Sequence, residues 1–217
     1  KRLPRNCSVP RTRGERTRAS LVGCEASLFW ARSFHGVSVD LVADTAKINK
    51  ATVYRYFKDK RDLALAVERY NGILTRDMIF ATSFAEYPEP QDRLAAIFRY
   101  AYRTHHQKFA ENGDVFGCPI VGLSLELGQE MPEIREEAAR LFDELEGFFT
   151  ENARQAAEGA GSRVNPSLTG RTLAQLMHGA NASSSLAADA SQVLDAGRAA
   201  MTLIGFPDTS ILLEEPA

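Results

Sequence analysis

The chain has 217 residues, 44% hydrophobic and 25% charged, a composition typical of a globular protein of one or two domains with a buried core. No apolar run of about 18 residues occurs, so no membrane span is predicted, and Glu25 interrupts the apolar stretch that a secretory signal would need. The three cysteines, Cys7, Cys24 and Cys118, are odd in number and widely spaced, which argues against a disulfide framework and favours a reduced, cytoplasmic setting.

The charge of the chain is divided unequally along its length. Residues 1–62 hold 14 Lys and Arg against 6 Asp and Glu, whereas residues 63–217 hold 12 against 22, and the net charge is −2. A basic segment joined to a larger acidic one indicates that the first binds a polyanion. The charge pattern therefore predicts two functional parts, of which the first binds nucleic acid.

The first residues and the helix after them are distinguished by composition. Residues 1–16 carry five arginines and two prolines with few apolar side chains, so we expect a mobile basic arm that follows the phosphate backbone or the minor groove. A terminus without function is the alternative. Residues 17–33 then predict a helix that packs Leu21, Leu28 and Phe29 against the next elements.

Two short helices joined by a tight turn are predicted next. Ser38 suits the cap of a helix over residues 39–46, and Asn49 suits the cap of a second helix over residues 50–56. On the second helix Val53 and Phe57 share one face, which leaves the basic residues on the other. Such a helix-turn-helix would place its exposed basic face in a major groove of DNA.

The residue types on this face suit contact with DNA. Lysine and arginine neutralise phosphates or donate to guanine, threonine meets a phosphate or a thymine methyl group, and alanine allows close approach to base edges. Tyrosine adds a hydroxyl donor, and a lysine at the next helix N-terminus adds a charge where phosphate is favoured. The candidates are Lys50, Ala51, Thr52, Tyr54, Arg55 and Lys60. A solvated basic face without DNA is the alternative.

The run from Ser38 to Leu63, SVDLVADTAKINKATVYRYFKDKRDL, resembles the DNA-binding domain of TetR-type transcriptional repressors. The resemblance covers about residues 17–67 and rests on Val42-Ala43, Tyr54-x-Tyr56-Phe57, Lys60 and Leu63 at matching spacings.

One position departs from the family pattern. Lys47 stands in the turn where the family usually has glycine. Because a left-handed conformation strains other residues by about 1 kcal/mol, we expect either a differently built turn or a turn that carries this cost.

The resemblance implies an all-α homodimeric repressor that binds a palindromic double-stranded DNA operator and is released by a small-molecule effector. It implies a three-helix DNA-binding domain at residues 17–62 and a larger helical ligand-binding and dimerisation domain at residues 63–217. Matching DNA-contacting positions are Ser38, Lys50, Thr52, Tyr54, Arg55, Tyr56 and Lys60. Lys50 and Arg55 are expected to contact bases; Ser38, Tyr54 and Lys60 are expected to contact phosphates.

The larger domain is rich in phenylalanine and tyrosine, enough to line a pocket for an apolar or aromatic effector. Phe98, Tyr102 and Phe142 are candidate effector contacts because polar neighbours could orient a bound compound, while most other aromatic residues are expected in the core. His105 and His178 lack a Cys or carboxylate at metal-ligand spacing, so neither a metal nor a cofactor is predicted.

Cys118 is a further candidate effector residue. It precedes Pro119, which suits the first position of a helix, so the thiol would lie at a helix cap where backbone N–H groups stabilise a thiolate. Some TetR-type repressors that sense electrophiles or oxidants resemble this arrangement. A small buried packing residue is the alternative.

The last third of the chain suggests dimerisation through two helices, residues 168–188 and 191–204, both rich in small residues. Two such helices per chain could form a four-helix bundle across a two-fold axis, with an intramolecular hairpin as the alternative. Their apolar stripe comprises Leu173, Leu176, Met177, Ala180, Val193, Leu194, Ala200, Leu203 and Ile204. Neither a catalytic constellation nor a cofactor loop is present, so an enzyme is not predicted; a non-specific nucleic-acid-binding protein is a remote alternative.

Overall fold

The computed structural model describes residues 12–160 and 165–212, and in these ranges it contains helices and no strand. The all-α prediction is confirmed. The α-helices are α1 (Arg13–Arg32), α2 (Val39–Thr45), α3 (Lys50–Tyr56), α4 (Lys60–Leu74), α5 (Thr82–Glu86), α6 (Pro90–Asn112), α7 (Pro119–Leu127), α8 (Pro132–Ala160), α9 (Pro166–Ala187) and α10 (Ser191–Leu203). A 3-10 turn, Ser210–Leu212, ends the described chain.

Side-chain caps set the first helix boundaries. Thr12 and Glu15 form a capping box, in which each side chain accepts a hydrogen bond from the other residue's backbone N–H. Helix α1 therefore begins at Arg13 and not at residue 17, so the prediction of a mobile arm is wrong for residues 13–16. Residues 1–11 lie outside the described part of the chain. The helices predicted after Ser38 and Asn49 are confirmed, each with its cap hydrogen bond.

The described chain forms two compact units. The first holds the residues up to Thr75 together with Pro119–Leu141, and the second holds Arg76–Cys118 with the residues from Phe142 onward. The first unit is thus larger than the DNA-binding domain of residues 17–62, since it includes α4, α7 and the start of α8.

The core of the first unit is formed where α1, α2 and α3 pack with α4 and α7. The packing of α1 against the helix-turn-helix is confirmed, with Leu21 and Phe29 buried and Leu28 partly buried. The buried side chains of this core include Leu21, Phe29, Phe57, Leu63, Val67, Leu127 and Ile134. This core fixes α3 from behind and leaves its outer face to solvent.

In the second unit α10 packs against α6 and α9. These contacts bury most of the apolar stripe that was predicted to form a dimer, since Leu173, Val193 and Ala200 are each 0% exposed. The dimer assignment is therefore wrong for the buried part of the stripe, because packing within the chain already covers its apolar side chains. Only Leu203, at 38% exposure, is open, and Leu176 is half-buried.

The segment between α4 and α5, Thr75–Ala81, is a π-helix, which the apolar spacing did not predict. Just after it Thr82, the first residue of α5, donates a hydrogen bond through Oγ1 to the carbonyl oxygen of Asp77 at 2.8 Å. The chain passes from the first unit into the second within this segment.

Candidate DNA-binding and effector sites

The turn between α2 and α3 has a left-handed residue without glycine. Lys47 has φ of 55°, and the turn is closed by hydrogen bonds from Lys47 N to Asp44 O at 3.2 Å and from Ile48 N to Ala43 O at 3.0 Å. The helix-turn-helix therefore keeps the left-handed turn and carries the strain of a β-carbon there.

Helix α3 divides into a buried and an exposed face, as predicted. Val53 and the following Phe57 are each 2% exposed, whereas Tyr54 is 47% exposed and Lys50, Ala51 and Arg55 are exposed. The outer face is therefore open to a macromolecular partner over the whole length of the helix.

Hydrogen bonds among the outer side chains orient this face. Lys50 Nζ lies 2.9 Å from Asp40 Oδ2, and this hydrogen bond raises the pKa of Lys50. Arg55 Nη2 donates to the Tyr56 hydroxyl at 3.2 Å and stacks over its ring at 5.0 Å. Thr52 Oγ1 donates to Asn49 Oδ1 at 2.8 Å. Because exposed ion pairs contribute little free energy, Lys50 can exchange Asp40 for another partner at small cost.

Ser38 and Lys60, the candidate phosphate contacts that lie outside α3, differ in exposure and in hydrogen bonding. Ser38 is exposed, and its hydroxyl oxygen accepts the hydrogen bond from Leu41 N that caps α2, at 3.1 Å. Lys60 is half-buried, and its ammonium donates to the carbonyl oxygen of Phe34 at 2.5 Å. Among the charged candidates for DNA contact, Lys60 alone has its charged group bonded to the backbone of a buried residue, Phe34.

The candidate effector residues all lie in the second unit. Phe98 is 0% exposed, and its Cβ would lie 3.1 Å from a β-carbon added at Gly197, so it fills the packing between α6 and α10. Tyr102 is half-buried, with its ring 5.7 Å from that of His106. Phe142 is half-buried, with its ring 4.4 Å from that of His178.

His105, on α6, is a buried polar residue. Its Nε2 lies 2.6 Å from Asn181 Oδ1, and the amide nitrogen of Asn181 donates to Met177 O at 2.9 Å. Because Asn181 is fixed in this orientation, its oxygen must accept from Nε2–H, which leaves His105 Nδ1 as a bare acceptor. Nδ1 is buried without a hydrogen-bond partner, and burial lowers the pKa of His105, so the ring is neutral.

Cys118 lies where the sequence placed it, directly before α7, which begins at Pro119. The thiol is half-buried. The preceding Gly117 has φ of 72° and packs on α9, where an added β-carbon would lie 3.4 Å from the backbone oxygen of Asn181. The chain therefore reaches Cys118 from a point close to the residue that orients His105.

Within residues 12–160 and 165–212, no three His, Cys, Asp or Glu side chains are grouped as metal ligands. No helix of the same ranges is both long enough and apolar enough to cross a membrane.

A helix-turn-helix whose second helix, α3, exposes a basic face, within a helical unit that is joined to a second helical unit, defines a DNA-binding regulator. Residues 26–67 match the profile of bacterial regulatory proteins of the tetR family, and residues 90–201 match that of tetracyclin repressor-like C-terminal domains. The chain belongs to the TetR family of transcriptional regulators, which are not enzymes.

Individual relatives agree with this assignment. An HTH-type transcriptional regulator from the lacX 3' region of Lactococcus lactis subsp. lactis is 25% identical over 146 residues, 63% of this chain and 67% of the relative. The HTH-type transcriptional repressor NemR of Escherichia coli K12 is 28% identical over 143 residues, 64% of this chain and 69% of NemR.

Solved structures share the fold. Reduced E. coli NemR superposes with a TM-score of 0.73 at 20% identity, covering 88% of this chain and 98% of that chain. A TetR transcriptional regulator from Chloroflexus aurantiacus superposes with a TM-score of 0.72 at 24% identity, covering 88% of this chain and 95% of that chain.

Proposed function

We propose that the protein is a cytoplasmic homodimeric repressor that binds a palindromic operator through α3 and leaves it when a small effector binds. The observation that carries the proposal is the outer face of α3, where Lys50 and Arg55 are exposed while Val53 holds the helix from behind. Two such helices about one DNA turn apart would read two half-sites.

DNA reading is tested by selecting duplexes from a randomised library with the full chain. We expect a palindrome, and Arg55→Ala should relax the preference at one base pair of each half-site, a loss of roughly 1–3 kcal/mol for a bidentate contact. Arg103→Ala, which removes an exposed arginine of α6, is the matched control. Selection without any preferred sequence would favour the non-specific nucleic-acid-binding protein instead.

The dimer is proposed to form through the faces of α9 and α10 that remain exposed. Leu168 and Leu186 are 65% and 91% exposed, and no atom lies within 4 Å of a β-carbon added at Gly179. Ala182, exposed on the same face of α9, is a small residue that allows close helix approach. Ala182→Arg should yield monomers in sedimentation at micromolar concentration, whereas Ala110→Arg on exposed α6 surface should not. A monomeric wild-type chain would contradict the proposal.

The effector is proposed to be a small aromatic or apolar compound held near the half-buried Tyr102 and Phe142, whereas Phe98 belongs to the packing between α6 and α10. The bare Nδ1 of His105 supports a compound that carries a hydroxyl or N–H group, because a buried acceptor without a donor costs about 1–3 kcal/mol. A thermal-shift screen with matched phenols and their methyl ethers tests this. We expect phenols, but not their methyl ethers, to stabilise the protein, and we expect this stabilisation to be lost in Tyr102→Ala. Equal stabilisation by the ethers would show that the compound need not donate a hydrogen bond.

A second candidate is a repressor that senses electrophiles through Cys118. The position of this half-buried thiol directly before α7 favours it, as does similarity to NemR, whose crystal structure is described as a reduced form. Under this mechanism Cys118→Ser keeps DNA binding and loses the response to an electrophile. Under reversible capture, Cys118→Ser still responds and Tyr102→Ala does not.

A further inference from the structure

The turn between α1 and α2 determines where α2 begins. It spans residues 33–36 and leads through Val37 to Ser38, the N-cap of α2. Gly36 is required there, because an added β-carbon would overlap the carbonyl oxygen of Arg32. Phe34 anchors the turn in the core at 8% exposure. A displacement of this turn would therefore move Ser38 and the start of α2 together.

Glu126, on α7, binds the backbone of this turn from one side. Its Oε2 accepts a hydrogen bond from Phe34 N at 2.8 Å, and its Oε1 accepts one from His35 N at 2.9 Å. The side chain is only 20% exposed. A carboxylate that accepts one amide at each oxygen is fixed in orientation as well as in position, and charge-assisted hydrogen bonds are stronger than neutral ones.

Lys60, on α4, binds the same turn from another side. Its ammonium donates to Phe34 O at 2.5 Å and lies 3.9 Å from the centroid of the Phe34 ring. The backbone N–H and C=O of Phe34 are thus held by oppositely charged side chains from two different helices. Both helices pack against α1, from which the turn emerges.

The charges around Lys60 favour this inward position. Glu25, on α1, is 0% exposed, and burial raises the pKa of its carboxyl to about 8, against the opposing effect of Lys60. Glu25 is therefore protonated at neutral pH, and Glu126 supplies the negative charge that attracts Lys60. Burial lowers the pKa of Lys60, and Glu126 opposes that shift, as does Glu25 once its own carboxyl ionises at higher pH.

We propose that Glu126 and Lys60 form a clamp on Phe34 that positions Ser38 and α2 for DNA binding, and that Lys60 acts through this clamp instead of neutralising a phosphate. The inference rests on the proposed operator binding. It differs from the phosphate contact that the family resemblance implies for Lys60, and the two roles predict different responses to salt.

The test uses the full-length chain and a duplex enriched from a randomised library by the wild-type protein. Affinity is measured by fluorescence anisotropy over a series of salt concentrations for Lys60→Met, Glu126→Gln and the double variant. Lys58→Met, an exposed lysine two residues away, is the matched control. We expect each single variant to lower the affinity for DNA about tenfold with an unchanged salt slope. The double variant should bind about as tightly as the weaker-binding of the two single variants.

Two results would overturn the clamp. If Lys60 neutralises a phosphate in the wild-type complex, Lys60→Met should lower the salt slope by about one for each such phosphate contact. That result would show that Lys60 contacts phosphate. Affinity losses that multiply in the double variant would show that the two residues act separately. Hydrogen exchange of the Phe34 and His35 amides gives a readout without DNA, and exchange equally slow in wild type and Glu126→Gln would also refute the clamp. Failure of the wild-type protein to enrich any duplex would refute operator binding itself.

Discussion

Replacing Lys47 by glycine measures the strain in the turn of the helix-turn-helix. A left-handed conformation costs an L-residue about 1–2 kcal/mol, and Lys47 has φ of 55°. Glycine removes this cost but gives the unfolded chain more freedom, which offsets about 0.4–1 kcal/mol. We expect Lys47→Gly to raise the free energy of unfolding by roughly 0.5–1 kcal/mol, or the Tm by about 1–4 °C.

The assay is urea and thermal unfolding without DNA, with Lys47→Ala as the matched control. Both variants lose the exposed ammonium, but alanine keeps the β-carbon in the left-handed turn, so only glycine should stabilise. Ala188, directly after α9, is an independent left-handed site with φ of 49° and ψ of 38°. Ala188→Gly should raise the free energy of unfolding by a similar amount. Equal stability of Lys47→Ala and Lys47→Gly would refute the argument from backbone strain.

Three further predictions follow from packing, burial and exposure. Gly170→Ala should lower the free energy of unfolding by about 1–3 kcal/mol, because its β-carbon would lie 2.6 Å from the backbone nitrogen of Thr150. Thermal unfolding measures this, and Gly179→Ala, in open space on the same helix, is the control. Burial raises the pKa values of Glu25 and Glu68 to about 8, so the folded chain retains protons that the unfolded chain releases. The free energy of unfolding should therefore fall as the pH rises from about 5 to 8, by up to about 1.4 kcal/mol per pH unit for each group. Urea unfolding over a pH series measures this, and Glu68→Gln should make the decrease smaller. A free energy of unfolding that rises over this range would contradict the prediction. In a background with Cys7→Ser and Cys24→Ser, iodoacetamide should modify Cys118 faster than a model thiol at pH 7 if it senses electrophiles; slow alkylation that becomes fast in denaturant would identify a packing residue.

Local signals explain why α2 and α3 could be predicted to within a residue. Ser38 and Asn49 cap these helices through hydrogen bonds to residues three positions ahead, so the information lies within one turn of chain. The start of α1 was missed although its capping box, Thr12 and Glu15, is equally local. Its position inside an arginine-rich segment concealed it.

The remaining differences depend on contacts between residues far apart in sequence. Lys60 is bonded to Phe34, 26 residues away, and no spacing within α4 indicates this inward direction. Apolar periodicity shows that α9 and α10 bury one face, but it cannot distinguish a partner in the same chain from one in a second copy. Glu25, which interrupts the apolar pattern, is buried nonetheless, because a protonated carboxyl costs far less to bury than a carboxylate.

Helix α7 links its own N-terminus to the turn after α1. It begins at Pro119, next to Cys118, and carries Glu126 near its other end. Seven residues of α-helix span about 10 Å and bend little, so the segment behaves as a short rod. A displacement of Pro119 along this rod would shift the carboxylate of Glu126 by a similar distance. Because hydrogen bonds weaken steeply beyond about 3.2 Å, a shift of about 1 Å would be enough to release the backbone amides of Phe34 and His35.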